Sequence, residues 1–326
     1  MQLITSLLFW ILATAVASAQ VAVNGPIEGF LFDAPTGTLR AVLGAPGSAT
    51  LGTSISDGVD FGSVAPRQNY AIIFQAGKCQ LVSNLNSAPA PIAIISGVSG
   101  QPEGTVWSAD GTLAILYSRS GNWIQTLTGL PSAPTSGPYL DISSLGGTLS
   151  AVASDPQGKR IAISVSGAAG GVYLTSDSQS FVPVLPSPGV IALSFSTDGT
   201  NLYTLDNAVP ELAVVDLNTF SFQSLPLDGL SNPVAVRPDQ DTQGRQVVYV
   251  ASGSDRLLRI IDVASQEVLT DVSLYVAPTG IDALGAHSFV IASRSEGNQP
   301  LWLFSSSPLP AAYFVPAVHA SAGGLQ

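Results

Sequence analysis

The stretch Gln246-Val-Val-Tyr-Val-Ala-Ser-Gly-Ser-Asp255, continued by Leu258-Arg-Ile-Ile-Asp-Val-Ala-Ser-Gln-Glu-Val-Leu269, decides the fold. Its first half is a run of β-branched and aromatic residues that ends in a Gly-Ser-Asp turn. Its second half is another such run, ends in Ile-Asp, and passes through a short polar turn into a third run. These are strand signals, with punctuation every six to eight residues. Asn201-Leu-Tyr-Thr-Leu-Asp206 followed by Leu212-Ala-Val-Val-Asp216 repeats the arrangement one unit earlier. Asp216 and Asp262 close the equivalent strand in each unit, where an aspartate accepts hydrogen bonds from the turn backbone, so both read as turn formers.

Working outward, Asp- and Gly-bearing turns recur at Ser108-Ala-Asp-Gly111, Ser154-Asp-Pro-Gln-Gly158, Ser196-Thr-Asp-Gly199 and Arg237-Pro-Asp-Gln-Asp-Thr-Gln-Gly244. The steps between their glycines are 47, 41 and 45 residues. Such a period, with four short strands in each unit, marks the blades of a β-propeller. Helical solenoids have similar periods, but no segment keeps apolar residues at helical spacing, and Gly or Pro interrupts every unit. Whole blades are expected near residues 57–100, 102–140, 148–188, 190–230, 232–276 and 279–317. Gly29-Phe-Leu-Phe-Asp-Ala-Pro-Thr-Gly-Thr-Leu-Arg-Ala-Val-Leu43 aligns with the second half of a unit. The fold class is therefore all-β, with seven blades favoured over six and the ring closed by pairing of the two chain ends, which would remove exposed strand edges.

The residues from Val248 to Leu269 resemble the YVTN-type repeat of lactonase-like propellers, and the unit around 201–224 resembles it too. The likeness covers the rest of the chain as architecture only. It implies a propeller around a central channel, often in exported proteins, and no single chemistry. The Gly-His…Trp-Asp signature of WD40 proteins is lacking.

Residues 1–19 read as a signal peptide. An apolar stretch from Leu3 to Val16 precedes Ala17-Ser18-Ala19, an A-x-A cleavage site, although no basic residue stands before it. Fourteen apolar residues are too few for a spanning helix, which needs about twenty. The expected product is a secreted or periplasmic single domain over 20–317 with a short tail at 318–326, and no membrane insertion after cleavage. Hydrophobic residues make up 46% of the chain and charged ones 10%, enough for a large core. The net charge of -11 repels nucleic acid and anionic lipid.

Hydrolysis by a serine triad needs a histidine beside the nucleophile. Only His287, in a Leu-Gly-Ala-His turn, and His319, near the end of the sequence, are present, and no Gly-x-Ser-x-Gly elbow occurs. Cys79, the single cysteine, excludes an internal disulfide and sits in strand-like sequence as a small buried hydrophobe. Trp107, Trp123 and Trp302 do not share a blade position, unlike the tryptophans of quinone-dependent propellers, and read as packing residues. No phosphate-binding loop is found.

What remains is carboxylate chemistry where the innermost strands begin. Asp60, Glu103 and Asp282 form a candidate metal site there, with Asp57 and Asp141 nearby and calcium the candidate ion, because calcium takes six to eight oxygen ligands. No catalytic residue is assigned and no other cofactor is expected. The expected function is a rigid binding scaffold for an unknown protein or glycan on one channel face, through loops such as Ser132 to Asp141. The alternative is a metal-assisted, lactonase-like hydrolase with a divalent cation at the channel mouth.

Overall fold

The computed structural model describes residues 25–87, 93–176 and 179–317. The expected signal peptide, the tail and His319 lie outside them. Seven antiparallel sheets follow one another along the chain. Blade 1 holds Ile27–Asp33, Thr38–Leu43 and Thr50–Asp57. Blade 2 runs from Phe61–Val64 to Ala93–Ile94, blade 3 from Gly104–Trp107 to Thr135–Asp141, and blade 4 from Thr148–Ser154 to Val182–Leu185. Blade 5 runs from Val190–Phe195 to Phe222–Pro226, blade 6 from Pro233–Gln240 to Val268–Ser273, and blade 7 from Asp282–Ala283 to Ala311–Val315. Blades 2 to 7 are four-stranded, and blade 1 has three strands among the described residues. The architecture is a seven-bladed β-propeller.

Each central strand shows why the apolar runs in the sequence are continuous rather than alternating. In Tyr70-Ala-Ile-Ile-Phe74, Ala71 and Ile73 pack toward blade 1, while Tyr70, Ile72 and Phe74 pack toward blade 3. In blade 6, Val248 and Val250 face blade 5, and Val247, Tyr249 and Ala251 face blade 7. Side chains alternate between the two faces of a strand, and here both faces are buried. Every blade-to-blade interface thus has its own hydrophobic cluster, including one between blade 7 and blade 1 built from Val42, Ala49, Leu51, Leu284, Leu301, Leu303 and Val315.

The turns follow the sequence reading. Asp110 Oδ1 accepts from Ser108 Oγ at 2.7 Å and Thr112 N at 3.0 Å. Asp198 does the same with Ser196 and Thr200 at 2.6 and 3.0 Å, and in both turns the glycine that follows is left-handed, at φ +78° and +75°. Asp216 accepts from Asn218 N and Thr219 N, and Asp262 from Ala264 N and Ser265 N, at 2.7 to 3.1 Å. The Asn218 and Thr219 amides hold the Asp216 carboxyl below its ordinary range.

Two expectations need correction. The segment expected to form a turn from Arg237 begins later, because Pro233–Gln240 is the first strand of blade 6 and the turn is Asp241 to Gly244. Pro238 fits there because an innermost strand has a free edge on which no N–H is needed. Thr135–Asp141, expected to be a ligand loop, is the outer strand of blade 3. The expected pairing of the two chain ends falls on residues outside the described ones. Ile27–Asp33 is an edge strand of blade 1 among the described residues and lies against Phe61–Val64. Ala311–Val315 pairs within its own blade, from Leu301↔Val315 to Ser305↔Ala311. The short link from Ser306 to Pro310 returns the chain directly along Leu301–Ser305, so that edge is filled locally.

Side chains also join blade 7 to blade 1. Arg294, on blade 7, donates from Nη2 to Asp33 Oδ2 at 2.5 Å and from Nε to Asp33 Oδ1 at 3.1 Å, with both side chains at most 3% exposed. Thr36 Oγ1 donates to Asp33 Oδ2 at 2.7 Å, and Arg40 Nε stands 3.5 Å from the same oxygen. Ser288 Oγ donates to Glu28 Oε1. Gly29 presses on the Leu284 carbonyl so closely that a Cβ would collide with it.

Candidate functional site

The first strands of blades 3 and 4, 4 and 5, and 5 and 6 lie against one another, so these strands surround the axis. Successive strands run antiparallel, which puts the starts of the first strands of blades 2 to 7, each four strands apart, on one face.

The expected metal ligands are not assembled there. Asp60 turns toward the hairpin of its own blade, where Oδ2 accepts from Ala76 N at 3.0 Å. Glu103 is consumed by the Ser118 to Ser120 hairpin. It accepts from Ser118 Oγ at 3.0 Å, Arg119 N at 2.9 Å, Ser120 N at 3.2 Å and the Ser120 hydroxyl. The Ser120 hydroxyl is the main cause of the lowering of its carboxyl below the ordinary range. Asp141 caps a 3-10 turn through Ser143 N at 2.8 Å, and Asp57 offers only its carbonyl, to Gln75. Among the described residues, no three His, Cys, Asp or Glu side chains come together as a metal-holding group.

Asp282 differs from the others. It opens the innermost strand of blade 7, and among the described residues its carboxylate has no hydrogen bond or ion pair. Its charge is felt by Arg237 of blade 6 and by Tyr117 of blade 3, and only the axis brings those blades within reach of one residue. Asp282 is exposed to solvent and follows Ile281, whose carbonyl accepts from Arg237 Nη1. Burial raises its carboxyl above the ordinary range, against the opposing pull of Arg237.

Its neighbours are held in place by other contacts. The Arg237 guanidinium lies 5.2 Å from the centre of the Phe289 ring, and Nη1 donates to the Ile281 carbonyl at 3.3 Å. Tyr117 sits opposite Gly104 in the blade 3 ladder and lies across it, where a Cβ would strike the Tyr117 ring and hydroxyl. That missing side chain makes room for the Tyr117 ring, which also packs half-buried against the cluster between blades 3 and 4. Arg119 covers the Tyr117 ring at 5.7 Å. Burial raises the Tyr117 phenol, with Arg119 opposing and Asp282 adding to the rise. The arrangement offers a carboxylate acceptor, a guanidinium donor and a phenol that does both.

Sequence reasoning found Asp282 from its position but missed Arg237, Tyr117, Arg119 and Gly104. A cation in an innermost strand was the available signal for Arg237. Nothing local marks Tyr117, because its role depends on the glycine of the adjacent strand.

The sign of the Asp282 effect is testable. Since the folded-state carboxyl titrates above its ordinary value, its stabilising form is the protonated one, and that contribution is lost as pH rises from the ordinary carboxylate range through the raised value. Asp282→Asn is therefore expected to raise Tm at pH 7 and to leave it unchanged near pH 3. A lowered Tm at pH 7 would show the carboxylate to be structural.

Elsewhere, Cys79 is 4% exposed and burial pushes its thiol up to about 12, so Ellman's reagent is expected to label it only after unfolding. Trp107 and Trp123 pack in the cluster between blades 2 and 3. Trp302 instead belongs to a surface strip, with Tyr275, 80% exposed, stacked on it at 5.9 Å and Phe314 at 6.0 Å.

No family model matches the chain, and no curated protein matches it. Among solved structures with this fold is one titled dihydro-heme d1 dehydrogenase NirN in complex with DHE. It has a TM-score of 0.57 at 12% identity over 89% of this chain. The present chain spans 64% of that protein's length. At that identity the likeness carries the fold alone. No helix among the described residues is long and apolar enough to cross a membrane.

Proposed function

We propose that this chain is an exported binding propeller of the YVTN type, a rigid scaffold that takes a ligand into its central channel. The observation that carries the proposal is the group formed by Asp282, Arg237 and Tyr117. Arg237 is held from behind by the Phe289 ring and the Ile281 carbonyl, and the carboxylate of the next residue, Asp282, is open to solvent with no protein partner among the described residues. Export is supported by the N-terminal sequence, and YVTN kinship by the repeat from Val248 to Leu269.

Thermal melts of the mature protein with small molecules and soluble glycans, run in parallel on Asp282→Asn, test this reading. A ligand at about 100 times its Kd stabilises by about 2.7 kcal/mol, a readable shift in Tm. The shift is expected in the parent and not in the variant. A library that shifts neither protein would count against a binding role. Calcium is expected to leave Tm where EDTA sets it. A calcium-dependent rise abolished by Asp60→Asn would revive the hydrolase alternative.

A further inference from the structure

Among the described residues, the strand that blade 1 lacks is its first and not its last. In blades 3, 5 and 6 the residue just past the fourth strand donates to the turn between the second and third: Ile142 N to the Asn122 carbonyl at 2.9 Å, Leu227 N to Pro210 at 3.0 Å and Leu274 N to Arg256 at 2.7 Å. In blade 1 the matching bond runs from Val59 N, shortly past Thr50–Asp57, to the Gly37 carbonyl at 2.9 Å. Gly37 joins Ile27–Asp33 to Thr38–Leu43, so these are the second and third strands of the blade and Thr50–Asp57 is the fourth. The neighbours agree. Ile27–Asp33 lies against the first strand of blade 2, as the second strands of blades 4 and 5 lie against the first strands of blades 5 and 6.

The edge on which a first strand would pair is open. Phe30 N donates to Gln68 Oε1 at 2.5 Å and so points away from Thr38–Leu43. By the alternation of an antiparallel ladder, the N–H and C=O of Phe32 point the same way. No strand among the described residues meets that edge. Leu31 and Phe32 are half-buried, whereas the second strands of blades 2 and 4 are buried along almost their whole length. Unpaired main-chain groups flanked by apolar side chains accept another extended segment.

We propose that Gln20-Val-Ala-Val23 is that segment and forms the first strand of blade 1, whatever the channel binds. In every other blade the first strand is the run of chain immediately before the second, and these residues hold that place, ahead of Asn24-Gly25-Pro26. Asn-Gly is the strongest short hairpin signal, and Gly25 stands at φ +135°, a conformation that favours glycine. Val-Ala-Val suits a strand packed on both faces, and four residues equal the lengths of Phe61–Val64 and Gly104–Trp107. The other free stretch, Val318-His-Ala-Ser-Ala-Gly-Gly-Leu-Gln326, is rich in glycine and alanine, which strands disfavour. First strands of blades 2 to 7 begin on one face, so Gln20 would begin there too. The expected cleavage point after Ala19 then lies at that mouth of the channel, and a retained leader would stand across it.

Hydrogen exchange and thermal melts test the assignment, comparing the mature protein from Gln20 with a variant that starts at Gly25 and with Ala22→Pro in the full mature chain. Proline removes a ladder donor and fits poorly in a paired strand. Both variants are expected to melt several degrees lower, and the amides of Ile27–Asp33 that point away from Thr38–Leu43 to exchange roughly tenfold faster or more. The synthetic peptide Gln-Val-Ala-Val-Asn-Gly, added to the shortened protein, is expected to restore both, and the same peptide with proline in place of Ala22 to restore neither. Circular dichroism checks the fold, and Ala22→Pro carries the test if the shortened protein does not fold. Unchanged melting and exchange in both variants would overturn the proposal. So would loss on deleting residues 318–326 with rescue by that segment as a peptide, which would give the edge to the other end of the chain. Protection that appears only as protein concentration rises would assign the strand to a second copy and overturn it equally.

Discussion

Arg294→Met is expected to destabilise the propeller by about 3–5 kcal/mol, because it leaves Asp33 as an unpaired charge at the buried seam between blade 7 and blade 1. Asp33 keeps the Thr36 hydroxyl at 2.7 Å and Arg40 at 3.5 Å, which together replace only part of a two-point guanidinium contact. The double variant Asp33→Leu/Arg294→Met removes both charges and is expected to recover most of the loss, since buried ion pairs are often no more stabilising than apolar residues of similar size. Urea titration followed by tryptophan fluorescence measures all three. A double variant as weak as Arg294→Met would mean that the loss comes from packing around the arginine stem rather than from the orphaned carboxylate.

The second large effect centres on Tyr249. Its ring, 1% exposed, meets Phe289 at 5.7 Å and Phe304 at 5.4 Å, edge to face in both cases, and its hydroxyl donates to Asp239 Oδ2 at 3.2 Å. Tyr249→Ala empties the centre of the interface between blades 6 and 7 and is expected to cost about 3–5 kcal/mol. Tyr249→Phe keeps the rings and loses one hydrogen bond, about 1 kcal/mol. Phe289 is also the surface on which Arg237 lies, so Tyr249→Ala should loosen the channel wall as well as the core. The check is whether any channel ligand loses more affinity in Tyr249→Ala than in Tyr249→Phe. Equal affinity in the two would separate the core from the site.

The blade boundaries were legible from recurring signals: doubly buried apolar runs, Asp- and Gly-bearing turns at similar spacing in blades 3 to 6, and an Asp that ends the third strand in blades 5 and 6. The expected unit 232–276 and the observed strands from Pro233 to Ser273 differ by three residues at most at either end. The contacts of the seam are a non-local property. Gly29-Phe-Leu-Phe-Asp33 looks like any half-blade, and nothing within it says whether its partner is the next strand or the last one. The seam depends on Arg294 meeting Asp33 across 261 positions of sequence, and single charges in a sequence carry no address.

The candidate site was half legible for a related reason. The position of Asp282, at the start of a first strand, follows from the repeat, and so do those of Asp60 and Glu103. Which carboxylates remain open follows from their hairpins. Ser118 and Ser120 close around Glu103, and among the described residues no comparable hydroxyl or amide reaches Asp282. The contribution of Tyr117 depends on a side chain that Gly104 does not have, which no inspection of Tyr117 alone reveals.

The seam also sets how the ring yields to force. Among the described residues the last blade grips the first through one ion pair, one hydroxyl contact and a patch of aliphatic packing. Each of these contacts acts only over its own short range, so load carried through them is released in a single step, whereas load along a blade is shared by its whole ladder of main-chain bonds.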